Sequence, residues 1–305
     1  MTRISDLGLQ QILLTSFQRA QGAAEQRQIQ LSTGKVSNVY SGIGSGVAEL
    51  LSSKGVIARA GAYNDAAAVA DAQLKTQEAG LSTIEESIVR LQQTFVATIS
   101  SGSAELIAPA IAAEAQRILS ALNIETGGVS VFGGVNGDVP PVNAQSIGDL
   151  QATTNTGTLF VDAARKQLAV EERISVDGGP LARDVAEGLL QSLKELADAP
   201  ATLGPFQGTL TAAQSQFLSQ KITELDGFQD NVLSLLGLNG VAQKQTTDAQ
   251  VRNGQRSDLA EVVASDLESA DLAEVVSRLN QDQLTIQAAA QALSQSRQLS
   301  LLNYL

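Results

Sequence analysis

Apolar positions at both ends of the chain fall into helical seams. Leu13, Phe17, Ala20, Ala24 and Leu31 follow spacings of four, three, four and seven, a stripe that one partner helix can cover. The pattern predicts a single helix from residue 5 to about 32. Ser32-Thr33-Gly34-Lys35 ends it, with Gly34 as a left-handed cap. Near the other end, Leu272, Val276, Leu279, Ile286, Ala290 and Leu293 repeat at four, three, seven, four and three. Ser265 to Glu268 has the S-x-x-E form of a capping box and is expected to start that last helix.

Between these ends the period changes twice. Helix resumes near Val47, is expected to break around Gly55 to Gly61, and then carries Leu74, Leu81, Ile84, Ile88, Leu91 and Phe95 as a coiled-coil-like seam. Another helix is predicted over Ala104 to Asn123. From Thr126 to about Pro205 the chain turns to Gly, Pro and Asn clusters with short strand-like runs. Leu168, Val170, Ile174 and Val176 alternate with polar neighbours, interrupted at Glu172, the mark of a half-buried strand. Val129 to Phe132 and Thr158 to Val161 are weaker strand candidates, and Asp177-Gly178-Gly179-Pro180 is turn chemistry. Arg183 to Ala197 reads as a short helix. Leu218, Ile222, Leu225, Val232 and Leu236 then restore the three-four rhythm.

The expected fold is therefore mainly α with an inserted α+β domain: a long antiparallel, coiled-coil-like bundle formed by the N- and C-terminal segments. Its divisions are residues 1–34 with 270–305 as terminal helices, 35–125 with 207–269 as a helical rod, and 126–206 as the insert. Residues 1–60 carry six basic and three acidic residues, whereas residues 256–305 carry three basic and seven acidic. Screened surface pairs add only ~0–1 kcal/mol each, so the apolar seams must supply most of the association energy.

Composition narrows the chemistry. The chain has no Cys and no His, which removes imidazole bases, Cys or Ser-His nucleophile systems and His- or Cys-ligated zinc. Aromatic residues are 3% of the total, which suits thin helical packing better than a large compact core. A net charge of −12 and the lack of a basic stripe argue against nucleic acid. No apolar run is long enough to span a membrane. The N-terminus is amphipathic, with Ile12-Leu13-Leu14 as its longest apolar run, so no cleavable signal is expected.

Motifs that invite a ligand fail on inspection. Thr33-Gly34-Lys35 lacks the first Gly and the final Ser or Thr of a P-loop, having Ile29 and Val36 there. Gly42-Ile43-Gly44-Ser45-Gly46 follows no predicted strand and reads as a flexible turn. Glu171-Glu172 and the acidic run from Asp258 to Glu274 lack EF-hand spacing and read as solvated faces. No enzyme, cofactor or metal site is expected. The informative feature is the last twenty residues, where only Arg297 is charged. A helix uncharged all round should be buried, and one chain offers too little to bury it. The terminal seams are thus expected to assemble between molecules. Leu13, Phe17, Ala20, Ala24, Leu31, Leu272, Val276, Leu279, Ile286, Leu293 and Leu302 are the candidate subunit-interface residues.

These ends also resemble a known group. Gln26 to Lys35, with LSTGK at Leu31 to Lys35, resembles the start of the flagellin superfamily. Ser265-Asp-Leu-Glu-Ser-Ala-Asp271, Ala273-Glu274 and the ending SLLNYL are similar to its other end. Within that superfamily, Val131-Phe-Gly-Gly-Val-Asn-Gly-Asp-Val-Pro-Pro141 and the ending resemble the hook-associated, hook-filament junction branch (hook-associated protein 3). Tyr40-Ser-Gly-Ile-Gly-Ser-Gly46 stands where flagellins carry an Asp-Asp-Pro/Ala element. The resemblance implies an extracellular subunit of the bacterial flagellum, a structural molecule for motility. It would be secreted through a type III export apparatus after a cytoplasmic chaperone has covered its C-terminal helix. Its termini would be disordered when free and fold against neighbours, each ~30-residue helix reaching ~45 Å. As a junction adaptor it would form a homo-oligomeric ring or helical assembly touching the first hook-associated protein and flagellin. As a flagellin it would build the filament itself.

Overall fold

The computed structural model describes the backbone of residues 2–302, and the side chains of residue 8 and residues 11–295. Helix makes up 76% of it, and four long helices dominate. They are α1 (Thr2–Thr33), α2 (Val47–Ser101), α7 (Ala212–Glu268) and α8 (Leu272–Leu302). Between α2 and α7 come α3 (Ile107–Leu122), β1 (Glu125–Thr126), β2 (Val129–Ser130), α4 (Ile147–Ala152), β3 (Gln167–Glu171), β4 (Ile174–Asp177), α5 (Ala182–Asp198) and α6 (Pro200–Leu203). The architecture is the expected mainly-α bundle with small strand pairs in its middle. The chain divides into two compact units. Unit 1 joins the chain up to Ala58 with the chain from Arg256, and unit 2 is Arg59–Gln255. Both α2 and α7 contribute to each.

Unit 2 is built on the seam the sequence predicts. Leu74, Leu81, Ile84, Ile88, Leu91 and Phe95 of α2 are completely buried. From Leu81 onward they join one core with Ile107, Ile118 and Leu122 of α3, Leu189 and Leu193 of α5, and Leu218, Leu225 and Val232 of α7. Burying each such side chain stabilises by ~1.5–3 kcal/mol. Amide–carboxylate bonds align α2 with α7 around this core. Gln92 donates to Asp226 at 2.8 Å, Gln229 to Glu85 at 2.7 Å, and Gln243 to Glu78 at 2.9 Å. Positions rise on one helix as they fall on the other, so the pair is antiparallel.

The middle segment docks on this frame through close approach and one buried amide. A Cβ at Gly80 would lie 2.8 Å from the Phe132 ring and 3.2 Å from the Ala121 carbonyl oxygen, so glycine lets the Val131–Phe132 strand end reach α2. Gln77 is fully buried. Its amide donates to the carbonyls of Val131 at 3.0 Å and Pro180 at 3.3 Å, and its oxygen accepts from Asn239 at 2.9 Å. One α2 side chain thereby holds the Phe-Gly-Gly segment, the Asp-Gly-Gly-Pro turn and α7.

Four local expectations are corrected. The expected break at Gly55 to Gly61 is absent, because α2 continues through both glycines. The single strand predicted from Leu168 to Val176 is a hairpin: β3 and β4 pair antiparallel, with Leu168 opposite Val176. The reversal occurs at Arg173, held at φ 65°. Leu168, Val170 and Val176 are buried while Ile174 is exposed, which two strands on one apolar floor explain. Thr158 to Val161 is not a strand, since Thr156–Leu159 forms a 3-10 turn and Phe160 makes an isolated bridge to Val142. Ser265–Glu268 is the last turn of α7 rather than the start of α8. Asp271 starts α8, its carboxylate accepting the Ala273 and Glu274 amides at 2.9 and 3.2 Å, as an N-cap does.

Candidate functional site

Unit 1 carries the terminal helices. α1 and α8 pack on each other along their length. Their burial follows one face of each. On α8, Val275, Leu279, Asp282, Ile286, Ala289 and Leu293 are among the less exposed positions and form a four-three-four-three-four seam. On α1 the matching set is Leu13, Phe17, Ala20, Ala24, Arg27 and Gln30. The seam is shallow. Its buried members are Ala20, Val275 and Ala289, side chains that offer little area, and the larger Phe17, Leu279 and Ile286 are only half-buried.

At one end of the seam lies a joint made by the two terminal motifs. Gly34 ends α1 at φ 69°, and its amide donates to Gln30 O at 2.8 Å, as the left-handed cap predicts. The chain then pairs with the α7–α8 connection. The Val36 amide donates to the Glu268 carbonyl at 2.8 Å, and the Ala270 amide to the Gly34 carbonyl at 2.9 Å, an antiparallel bridge centred on Lys35 and Ser269. The bridge puts the C-terminal end of α1 beside the N-terminal end of α8, so the helices run antiparallel. The Glu268 carboxylate accepts from Lys54 of α2 and lies 3.1 Å from the Lys35 ammonium. Those bonds, Lys54's first, hold the Glu268 carboxyl below the usual carboxylate range. The same bond raises Lys54, whose ammonium lies 5.7 Å from the centre of the Tyr40 ring.

The structure sorts the candidate interface residues into two sets. Leu13, Phe17, Ala20 and Ala24 lie on the α1 seam, and Leu279, Ile286 and Leu293 on the α8 seam. Leu31, Leu272 and Val276 are exposed instead. The Leu302 side chain lies outside the described residues. Sequence reasoning missed Val275, Asp282 and Ala289 on the seam, because α8 carries small or apolar residues on several faces. Missed too were Ile12, 68% exposed, and Leu284, 66% exposed, which single-face periodicity does not select. The arrangement is one of packing surfaces rather than reactive groups. Among the described residues no cluster of three or more carboxylates is placed to hold a metal ion. No helix among them is long and apolar enough to cross a membrane.

Comparison with known proteins places this geometry. Residues 4–136 match the family described as the bacterial flagellin N-terminal helical region. A solved structure of a proposed flagellar hook-associated protein from Vibrio parahaemolyticus shares the fold, with a TM-score of 0.59 at 15% identity. The alignment covers 73% of this chain and 97% of that one. Curated protein sequences give no match. The family match spans α1, the bridge residue Lys35, α2 and α3, one half of the terminal pair and part of the core. Over residues 4–136 the chain is thus similar to the bacterial flagellin N-terminal helical region, and its fold is similar to that of the Vibrio hook-associated protein.

Proposed function

We propose that this chain is an adaptor at the hook-filament junction, self-associating through α1 and α8 and joining the hook side to flagellin. The observation that carries the reading is the imbalance of unit 1. Its terminal helices bury mainly small side chains against each other and leave Ile12, Leu14, Ile29, Leu272, Val276 and Leu284 exposed. Apolar surface displayed on that scale is characteristic of proteins that bind partners, and the rigid, well-cored unit 2 would give the assembly its body. The junction assignment rests on the Val131–Pro141 segment, docked against Gly80 and Gln77, and on its resemblance to the junction branch.

On this reading the subunit is extracellular and passes the type III export apparatus with a chaperone on its C-terminal helix. It then forms a ring or short helical assembly between the first hook-associated protein and flagellin. Immunogold labelling of sheared flagella with antibody against residues 126–206 tests the placement. One band at the hook end is expected. Label along the whole filament would make the chain a flagellin, the reading favoured by the family match alone, and absence of label would overturn both.

A further inference from the structure

We propose that Glu268 is the positioning residue of the terminal joint, the single carboxylate that sets how the α1–α8 pair leaves the neighbouring ends of α2 and α7. The inference rests on the assembly role proposed for that pair. Three separate segments converge on this side chain. It is the last residue of α7, it takes Lys35 from the connection after α1, and it takes Lys54 from α2. Its own backbone carbonyl receives the Val36 amide. Both faces of one residue, side chain and main chain, are therefore used to fasten the joint.

Ser269 to Asp271 is the whole connection between α7 and α8, and the connection from α1 to α2 is the thirteen residues between Thr33 and Val47. Next to Glu268 the chains approach closely, since a Cβ at Gly46 would lie 3.0 Å from Leu267 Cδ2. The α1–α8 seam buries only small side chains at its core and cannot by itself choose an angle to α2. Two ammonium groups converge on the one carboxylate. Neutralising it leaves the Lys35 and Lys54 ammonium groups without the carboxylate they share, and repulsion between like charges then favours moving the connection away from α2. Glutamine at 268 is nearly the same size, so it removes the charge without removing the volume.

The test is amide hydrogen exchange on the full chain at neutral pH, paired with incorporation into flagella in cells that lack the native copy. In Glu268→Gln the Val36 and Ala270 amides should exchange about tenfold faster, the scale of a small ion-pair network. Amides between Leu81 and Phe95 should keep their native rates, and incorporation should fall. A Lys35→Met/Lys54→Met double variant, which keeps the carboxylate, should loosen the same two amides. Unchanged exchange at Val36 and Ala270 in Glu268→Gln would overturn the proposal, and so would faster exchange with undiminished incorporation. Ile286→Asp, which places a charge in the α1–α8 seam, separates this from the assembly reading. If that variant incorporates normally, the terminal pair is not the assembly element and both ideas fall.

Discussion

Phe95 and Phe17 stand on long helices of similar composition, yet Phe95 is completely buried and Phe17 only half so. The contrast extends to their surroundings. Phe95 belongs to a core to which α3, α5 and α7 all contribute leucine, isoleucine or valine side chains. Around Phe17 there is one partner, α8. Two helices alone can shield one face of each other, and everything else stays open. Among the described residues, the buried apolar side chains of unit 1 are Ala20, Leu50, Ala260, Ala264, Val275 and Ala289, mostly alanine. The same helical grammar thus yields a closed body in one region and an unfinished surface in the other. Unit 2 holds its own structure, while unit 1 has burial still to gain, which the proposed assembly would supply.

The largest expected effect breaks the comparison if it fails to appear. Phe95→Ala should cost about 3–5 kcal/mol, the loss typical of a buried phenylalanine. Phe17→Ala in the isolated chain should cost about 1 kcal/mol, as for a partly exposed site. Denaturant titration followed by helical circular dichroism reads both, and equal losses would mean that unit 1 is as well cored as unit 2. Next comes Gln77→Leu, which strands the carbonyls of Val131 and Pro180 and the Asn239 amide inside the protein. A stability loss of about 1–3 kcal/mol is expected, with faster proteolysis in the Asp177–Pro180 turn. An unchanged midpoint would show that the middle segment is held by apolar contact alone.

How far the sequence disclosed this contrast depends on how many partners each helix has. The α2 seam was legible from spacing because its apolar residues occupy one face, and every member from Leu74 to Phe95 is buried. The α8 seam was legible only in part. Leu279, Ile286 and Leu293 were selected, but Val275 and Val276 are adjacent, and only the position of α1 decides that Val275 turns inward. The Ser265 to Glu268 capping pattern misled for a similar reason. Asp271, a better-placed acceptor three residues after Glu268, takes the free amides of α8, while Glu268 is engaged by two lysines. That engagement joins residues 214 and 233 positions apart in the chain, which no local pattern reveals. The hairpin was hidden by its own regularity. Alternation runs from Leu168 to Val176 with one interruption, and the interruption was the turn.

Two smaller effects sharpen the account of unit 1. Asp271→Ala should remove about 1 kcal/mol from the start of α8, the usual value of an N-cap, seen as faster exchange of the Ala273 and Glu274 amides. Native rates there would mean that the bridge, not the cap, fixes the helix start. The smallest effect is in pH. The Glu268 carboxyl is held below its ordinary value, chiefly by Lys54 and then by Lys35. Its contribution is therefore fully present above the ordinary carboxylate range and is lost as pH falls through the depressed value. Exchange at Val36 should quicken in that acid window in the native chain and show no such step in Glu268→Gln.

The central claim is that the outward apolar surface of the terminal pair is buried in the flagellum. The chain has no cysteine, so a single Leu284→Cys substitution gives a unique thiol at an exposed apolar position on α8. Its rate of maleimide labelling, measured in the free subunit and in purified flagella carrying it, tests that claim most directly. Rapid labelling when free and strong protection in flagella is the predicted result. Equal labelling in both states would contradict it and leave the terminal helices as an ordinary intramolecular pair.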